Sequence, residues 1–244
     1  MNIELEVSGF KYEAFFSDKE INDIYIPLLK KLSHIREKKG RRLIIFLAAP
    51  PAVGKSTLAI FLEKLSIEIA KITPIQSLSL DGFHYYNEFL KTNKITINER
   101  EHALYEIKGM PETYDLQSFM SHVEKLKRKN IKWPIYDRNL HNPVEDIIEV
   151  TEDIVLIEGN WLLLNEPGWK DLKAFCDYSI FIEASEDVLK NRLINRKIRG
   201  GLSKDQALDF YERTDKKNVL RVMENRLCAD LTLEMLESGE IIKR

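Results

Sequence analysis

The chain is poor in cysteine. Cys176 and Cys228 are its only two, far apart and with no histidine cluster beside either. That excludes a disulfide framework and a cysteine-based metal site, and leaves both as reduced packing residues. Charge of one sign is also missing: 37 basic against 39 acidic side chains leave a net charge of −2. This gives no electrostatic case for nucleic acid or an anionic membrane. No apolar run approaches the ~20 residues of a membrane span. The opening Met1-Asn2-Ile3-Glu4 lacks the positive-then-apolar layout of a secretion signal, and there is neither a low-complexity tract nor an internal repeat. The expectation is a cytoplasmic protein. Its 244 residues suffice for one large core, alone or with an appendage.

What the chain does have is the stretch from Arg42 to Thr57. The apolar run Leu43-Ile44-Ile45-Phe46-Leu47 reads as a strand buried on both faces. It breaks at Pro50-Pro51 and restarts as a helix at Lys55. Between them lie Ala49, Pro50, Pro51, Ala52, Val53, Gly54, Lys55, Ser56 and Thr57, a phosphate-binding loop in Ala-x4-Gly-Lys-Ser form. Its backbone N–H groups would cradle a polyphosphate at the positive end of the helix. Lys55 would reach the terminal phosphates, and the Ser56 hydroxyl would take Mg²⁺. Ala49 stands where such loops usually have their first glycine, and Ala52 where many have another. The first is tolerable at negative φ; the second depends on a backbone angle that sequence does not give.

The remaining segments follow in chain order. Residues 3–7 and 10–15 alternate around Ser8-Gly9, as in a hairpin. Ser17-Asp18-Lys19-Glu20 has capping-box spacing for a helix to about Lys38. Residues 1–40 thus form a hairpin and helix appendage to a domain spanning 41–244. The prelude is a candidate surface for a homodimer, although nothing in the sequence requires one. Strand 74–80 delivers Asp81-Gly82 at its carboxyl end, where open parallel α/β sheets bind ligands. His84, Tyr85 and Tyr86 would line an adjoining pocket. Asp81 as a mere helix cap is the bland alternative. Residues 91–107 are charged and helical in part. A helix capped near Asp115 follows, and 132–143 look like a hairpin carrying Arg138 and His141, two groups able to hold a polar ligand. Ile154-Val155-Leu156-Ile157 is a second buried strand, ending in Glu158-Gly159; that carboxylate can orient Mg²⁺ directly or through water. Residues 178–182 add a strand, and 229–242 a final strand or hairpin. Between them runs a helix from Ser185 that puts Arg192, Arg196 and Arg199 on one face. Such a face is ordinarily just solvated. Gly200-Gly201 and a second capped helix at Ser203 instead resemble a mobile lid.

In this order the motifs resemble the kinase group containing uridine kinase, phosphoribulokinase and bacterial type I pantothenate kinase, from about Arg41 to about Arg226. The matching residues are Ala49–Thr57, Leu80-Asp81-Gly82-Phe83, Lys108 to Asp115, Tyr136-Asp137-Arg138, Glu158-Gly159 and the arginine helix. The resemblance implies a three-layer α/β fold of P-loop NTPase type, with a mostly parallel sheet and a helical lid. It also implies ATP with Mg²⁺, and transfer of the γ-phosphoryl group to a hydroxyl of a small molecule such as a nucleoside, a sugar or a pantothenate-like compound. Asp81 would then be the base. Lys55, Arg192 and Arg196 would offset phosphoryl charge, Ser56 and Glu158 would hold Mg²⁺, and His84, Tyr85, Arg138 and His141 would shape the acceptor site. The hairpin mixes two patterns. Pantothenate kinase has His where Arg138 stands, and the His of the uridine kinase pattern matches His141. The acceptor is therefore not transferable. An ATPase switch and a non-catalytic nucleotide sensor remain as alternatives.

Overall fold

The computed structural model of the protein describes residues 1–7, 10–97 and 99–244. The turn expected at Ser8-Gly9 lies outside the described residues. The strands it would join, β1 (Asn2–Val7) and β2 (Phe10–Phe15), pair antiparallel from Asn2 opposite Phe15 to Val7 opposite Phe10. Ser17 then opens a helical stretch with the capping box its spacing predicts. Its hydroxyl accepts from the Glu20 N–H, and the Glu20 carboxylate accepts from the Ser17 N–H. A π turn (Ile21–Tyr25) leads into helix Ile26–Lys39, which Gly40 ends at φ +61°.

The later strands are β3 (Leu43–Ala48), β4 (Ile75–Ser79), β5 (Lys94–Ile97), β6 (Arg100–Ala103), β7 (Ile131–Asp137) and β8 (Asn142–Val150). They are followed by β9 (Ile154–Gly159), β10 (Tyr178–Ala184), β11 (Leu231–Met235) and β12 (Ile241–Lys243). Six of them form the central sheet in the order β12-β11-β10-β3-β9-β4, parallel throughout except for the antiparallel β11–β12 pair. Two antiparallel hairpins, β5–β6 and β7–β8, stand off it. The ambiguous stretch 91–107 resolves into the end of a short helix (Asn87–Thr92), the β5–β6 hairpin and a 3₁₀ turn (Leu104–Ile107).

Strand β3 explains the layering. All six of its residues are buried, but alternate side chains enter different cores, as the two-residue period of a strand demands. Leu43, Ile45 and Leu47 join the helices Ile26–Lys39 and Lys55–Glu68 on one face. Ile44, Phe46 and Ala48 meet Phe83, Phe119, Trp133 and Trp161 on the other. Strand β9 divides the same way, with Ile154 and Leu156 on the first face and Val155 and Ile157 on the second. This is the arrangement of a parallel sheet covered on both sides.

The first core also takes Phe16, Tyr25, Leu28, Leu29 and Leu32 from the amino-terminal stretch. Glu20 adds a polar tie. Buried at 5% exposure, it accepts from the Ile241 N–H at 2.8 Å through the oxygen its capping box leaves over. A buried carboxylate must find donors or shed its charge; here it finds them in segments 221 positions apart.

Candidate active site

The site forms where β3, β9 and β4 end together. Leu47 is in register with Glu158, and Glu158 with Ser79. The loop after β3, the last residues of β9 and the turn after β4 therefore meet at one edge of the sheet, where an open α/β fold binds its ligands.

The loop turns into helix Lys55–Glu68 through Gly54 at φ +102°. That is the left-handed region that favours glycine. Ala52 also lies there, at φ +67°, where a Cβ costs about 1–2 kcal/mol. Ala49 is not among the left-handed residues, so its missing glycine carries no such strain. Arg192 reaches the loop from the arginine helix (Glu186–Arg199), donating from Nε to the Ala52 carbonyl at 2.8 Å.

At the start of the helix the Ser56 hydroxyl donates to Glu158 Oε1 at 3.0 Å, and Lys55 Nζ lies 3.6 Å from Oε2. Glu158 is 7% exposed, yet Oε2 has no hydrogen-bond partner. A buried carboxylate oxygen left without a donor, beside a hydroxyl, is the hard-oxygen pair that suits Mg²⁺. Among the described residues no three His, Cys, Asp or Glu side chains gather as a metal cage. A cation here would draw its other ligands from phosphate and water, as Mg²⁺ usually does.

Asp81 sits in a 3₁₀ turn (Leu80–Phe83) that begins where β4 ends. Gly82 lets that turn press onto the backbone at Pro134 of β7, where a Cβ would collide with the Pro134 carbonyl. The Asp81 side chain is 38% exposed. Burial raises its pKa, but the charges of His84, Lys55 and Arg138 and a hydrogen bond from Tyr114 together outweigh that, leaving it below the ordinary carboxylate range. The Tyr114 hydroxyl donates to Oδ1 at 3.3 Å, and Arg138 Nη2 lies 3.7 Å from Oδ2. Asp81 is thus ionised at neutral pH and able to accept a proton. His84 stacks on Tyr114 at 3.8 Å, and burial holds its pKa below the usual value despite the pull of Asp81.

The sequence-predicted residues thus divide into two groups. Lys55, Ser56, Glu158, Asp81, His84 and Arg138 come together. Arg196 faces the same region: loss of solvation lowers its pKa, and it lies within reach of the charges of Asp215, Arg138 and Asp81. The second helix (Lys204–Phe210) follows Gly201 and opens on the Ser203–Gln206 capping box that its spacing predicts. Tyr85 packs on Phe89 and lines a cavity of about 160 Å³ whose walls include His122 and Glu145 but not Asp81. His141 is exposed in the β7–β8 turn, where its carbonyl accepts from Lys108. Sequence reasoning missed Tyr114 as a partner of Asp81. Tyr114-Asp115 was visible only as part of a motif and a helix cap.

The fold is that of a P-loop kinase. More particularly, residues 44–238 match the phosphoribulokinase/uridine kinase family, and the chain belongs to that family. It is 43% identical over 240 residues to the uncharacterized protein YggC of Escherichia coli K12, covering 98% of each chain. It is 30% identical over 233 residues to the pantothenate kinase of E. coli K12/DH10B, covering 83% of this chain and 71% of that one. The structure of a "putative fructose transport system kinase" from Silicibacter sp. TM1040 superposes with a TM-score of 0.72 at 31% identity, covering 84% of this chain and 98% of the other. No helix of the described residues is long and apolar enough to cross a membrane.

Proposed function

We propose that the protein transfers the γ-phosphoryl group of ATP to a hydroxyl of a small molecule. The convergence of Lys55, the Ser56–Glu158 pair and Asp81 at three neighbouring strand ends supports this most directly. It supplies a phosphate cradle, a cation site and a base to one cleft. Ser56 and Glu158 would hold Mg²⁺, which when bound neutralises charge between the β- and γ-phosphates. Asp81 takes the proton of the acceptor hydroxyl as its oxygen bonds to the γ-phosphorus and ADP departs. Lys55 and Arg196 stabilise charge on the transferring oxygens. Arg192, already bonded to the loop, braces the loop around the phosphates. A cleft of about 300 Å³ beside it, lined by Asn191, Arg192, Glu234 and Glu237, has room for the base of the nucleotide. His84 and Arg138 border the reacting hydroxyl, and His141 would reach only an acceptor extending past the hairpin turn. The cytoplasm is the compartment that supplies both ATP and reduced thiols.

The test is ATP turnover with fructose, uridine and pantothenate added one at a time, with products weighed by mass spectrometry. A strong rise with one of them and a phosphorylated product is expected. ATP hydrolysis indifferent to every acceptor would make the protein an ATPase. A melting temperature raised by Mg-ATP with no turnover at all would make it a sensor. Either result overturns the proposal.

A further inference from the structure

We infer that Arg221 is a positioning residue for the acceptor half of the site, acting through the segment from Gly109 to Asp115; this rests on the reading of Asp81 as the base. Arg221 lies on helix Lys216–Glu224, which follows the second lid helix through a π turn (Tyr211–Asp215). Its guanidinium is gripped by two carboxylates. Nε and Nη2 donate to Glu166 at 2.8 and 2.6 Å, while Nη1 and Nη2 donate to Glu112 at 3.2 and 2.7 Å. It also lies 5.8 Å from the centre of the Trp161 ring, whose Nε1 donates to the Gly109 carbonyl at 2.9 Å. A planar fork can bind two carboxylates and face a ring at once; an ammonium cannot.

Glu112 belongs to a single 3₁₀ turn (Pro111–Thr113) with no sheet ladder of its own. The other side of that turn is stitched to the Asp81 segment. The Thr113 carbonyl accepts from the Tyr85 N–H at 3.0 Å and lies 3.2 Å from His84 Nδ1. The Asp115 N–H donates to the Phe83 carbonyl at 2.7 Å. Tyr114 stacks on His84 and hydrogen-bonds Asp81. Arg221 and Trp161 therefore hold one side of a short strap whose other side fixes the base and its neighbours. The phosphate loop makes none of these contacts. Loosening the strap displaces Tyr114 and His84 and leaves the nucleotide cradle as it is.

The test compares the full-length protein with Arg221→Lys, which keeps the charge and loses the fork. Glu112→Gln is a second variant, which removes one carboxylate charge and keeps the shape. The first readout needs no ligand: NMR titration of the His84 ring in histidine-labelled protein. His84 faces Asp81, Lys108 and Arg138 and titrates low chiefly because it is buried. In both variants its midpoint rises toward that of free histidine as water enters. Affinity for Mg–AMP-PNP, measured by calorimetry, stays that of the parent. For whichever of fructose, uridine and pantothenate the parent phosphorylates, kcat/KM falls by about 10², the loss expected from a displacement near 1 Å. An unmoved His84 midpoint overturns the inference, as does a fall in Mg–AMP-PNP affinity equal to the fall for the acceptor. If Arg221→Lys does not fold, Glu112→Gln carries the same readouts. If the parent phosphorylates none of the three, the kinase proposal fails on its own, and the His84 titration still decides the strap.

Discussion

The two halves of the cleft are built differently. The half proposed for the nucleotide rests on β3 and β9, whose residues are all buried, and on a loop and helix continuous in sequence with β3. The half proposed for the acceptor rests on a 3₁₀ turn, a strap and a hairpin, none of them in the central sheet. Its key contacts join distant residues: Tyr114 to Asp81 across 33 positions, and Arg221 to Glu112 across 109. On that proposal, the part that binds ATP is fixed by the deepest packing, and the part that selects an acceptor hangs on loops outside the sheet.

Arg196→Ala should separate the halves most sharply. It lowers kcat by about 10³ or more while Mg-ATP affinity stays near normal, because a transition-state arginine acts on transferring charge. Steady-state kinetics with a nucleotide-binding assay checks this, and equal losses in both would return the arginine to a binding role. Asp81→Asn keeps the shape and removes the base, so phosphoryl transfer should fall by about 10²–10³ with nucleotide binding intact. Near-normal turnover would give Asp81 a structural part. Glu158→Gln probes the other half: the Mg²⁺ concentration needed for half-maximal nucleotide binding should rise about tenfold.

Two smaller effects test the frame. Asp177 lies in the loop just before β10. There the Ile44 N–H, Arg41 and Lys39 donate to it, and despite the opposing effect of burial they hold its pKa near 2, against an ordinary 3.8. A depressed carboxylate stabilises the fold above its unfolded pKa and loses that stabilisation as pH falls through its folded one. The contribution is about 2 kcal/mol, vanishing between about pH 4 and pH 2. Asp177→Asn should lower stability to urea at pH 7 by that amount, flatten the acid limb, and weaken both halves of the cleft alike. Ala52→Gly relieves the left-handed strain in the loop but loosens the unfolded chain, for a net gain of about 0.5–1 kcal/mol. Thermal melting checks it, and a loss would mean the loop holds Ala52 without strain.

Much of the nucleotide half was legible in the sequence for the same reason that it is rigid. Strand, loop and helix are contiguous, so Lys55 and Ser56 could be read from spacing, and Glu158 from four apolar residues before it. Asp81 followed from its place one strand later. Tyr114 did not, because its hydroxyl meets Asp81 only after two segments cross, and no local pattern records a crossing. The strain at Ala52 was equally invisible, since a sequence names the residue but not its φ. The stretch 91–107 stayed ambiguous because its strands are only four residues each: Ile95 and Ile97 alternate with Lys94 and Thr96 in β5, but β6 has no apolar alternation to answer them.

Glu20 has a consequence for how the molecule is made. One carboxylate closes the cap of an early helix and also hydrogen-bonds the backbone of β12. A chain leaving the ribosome exposes Glu20 long before residue 241 exists. The hydrogen bond that ties β12 to the early helix therefore cannot form until residue 241 has been made.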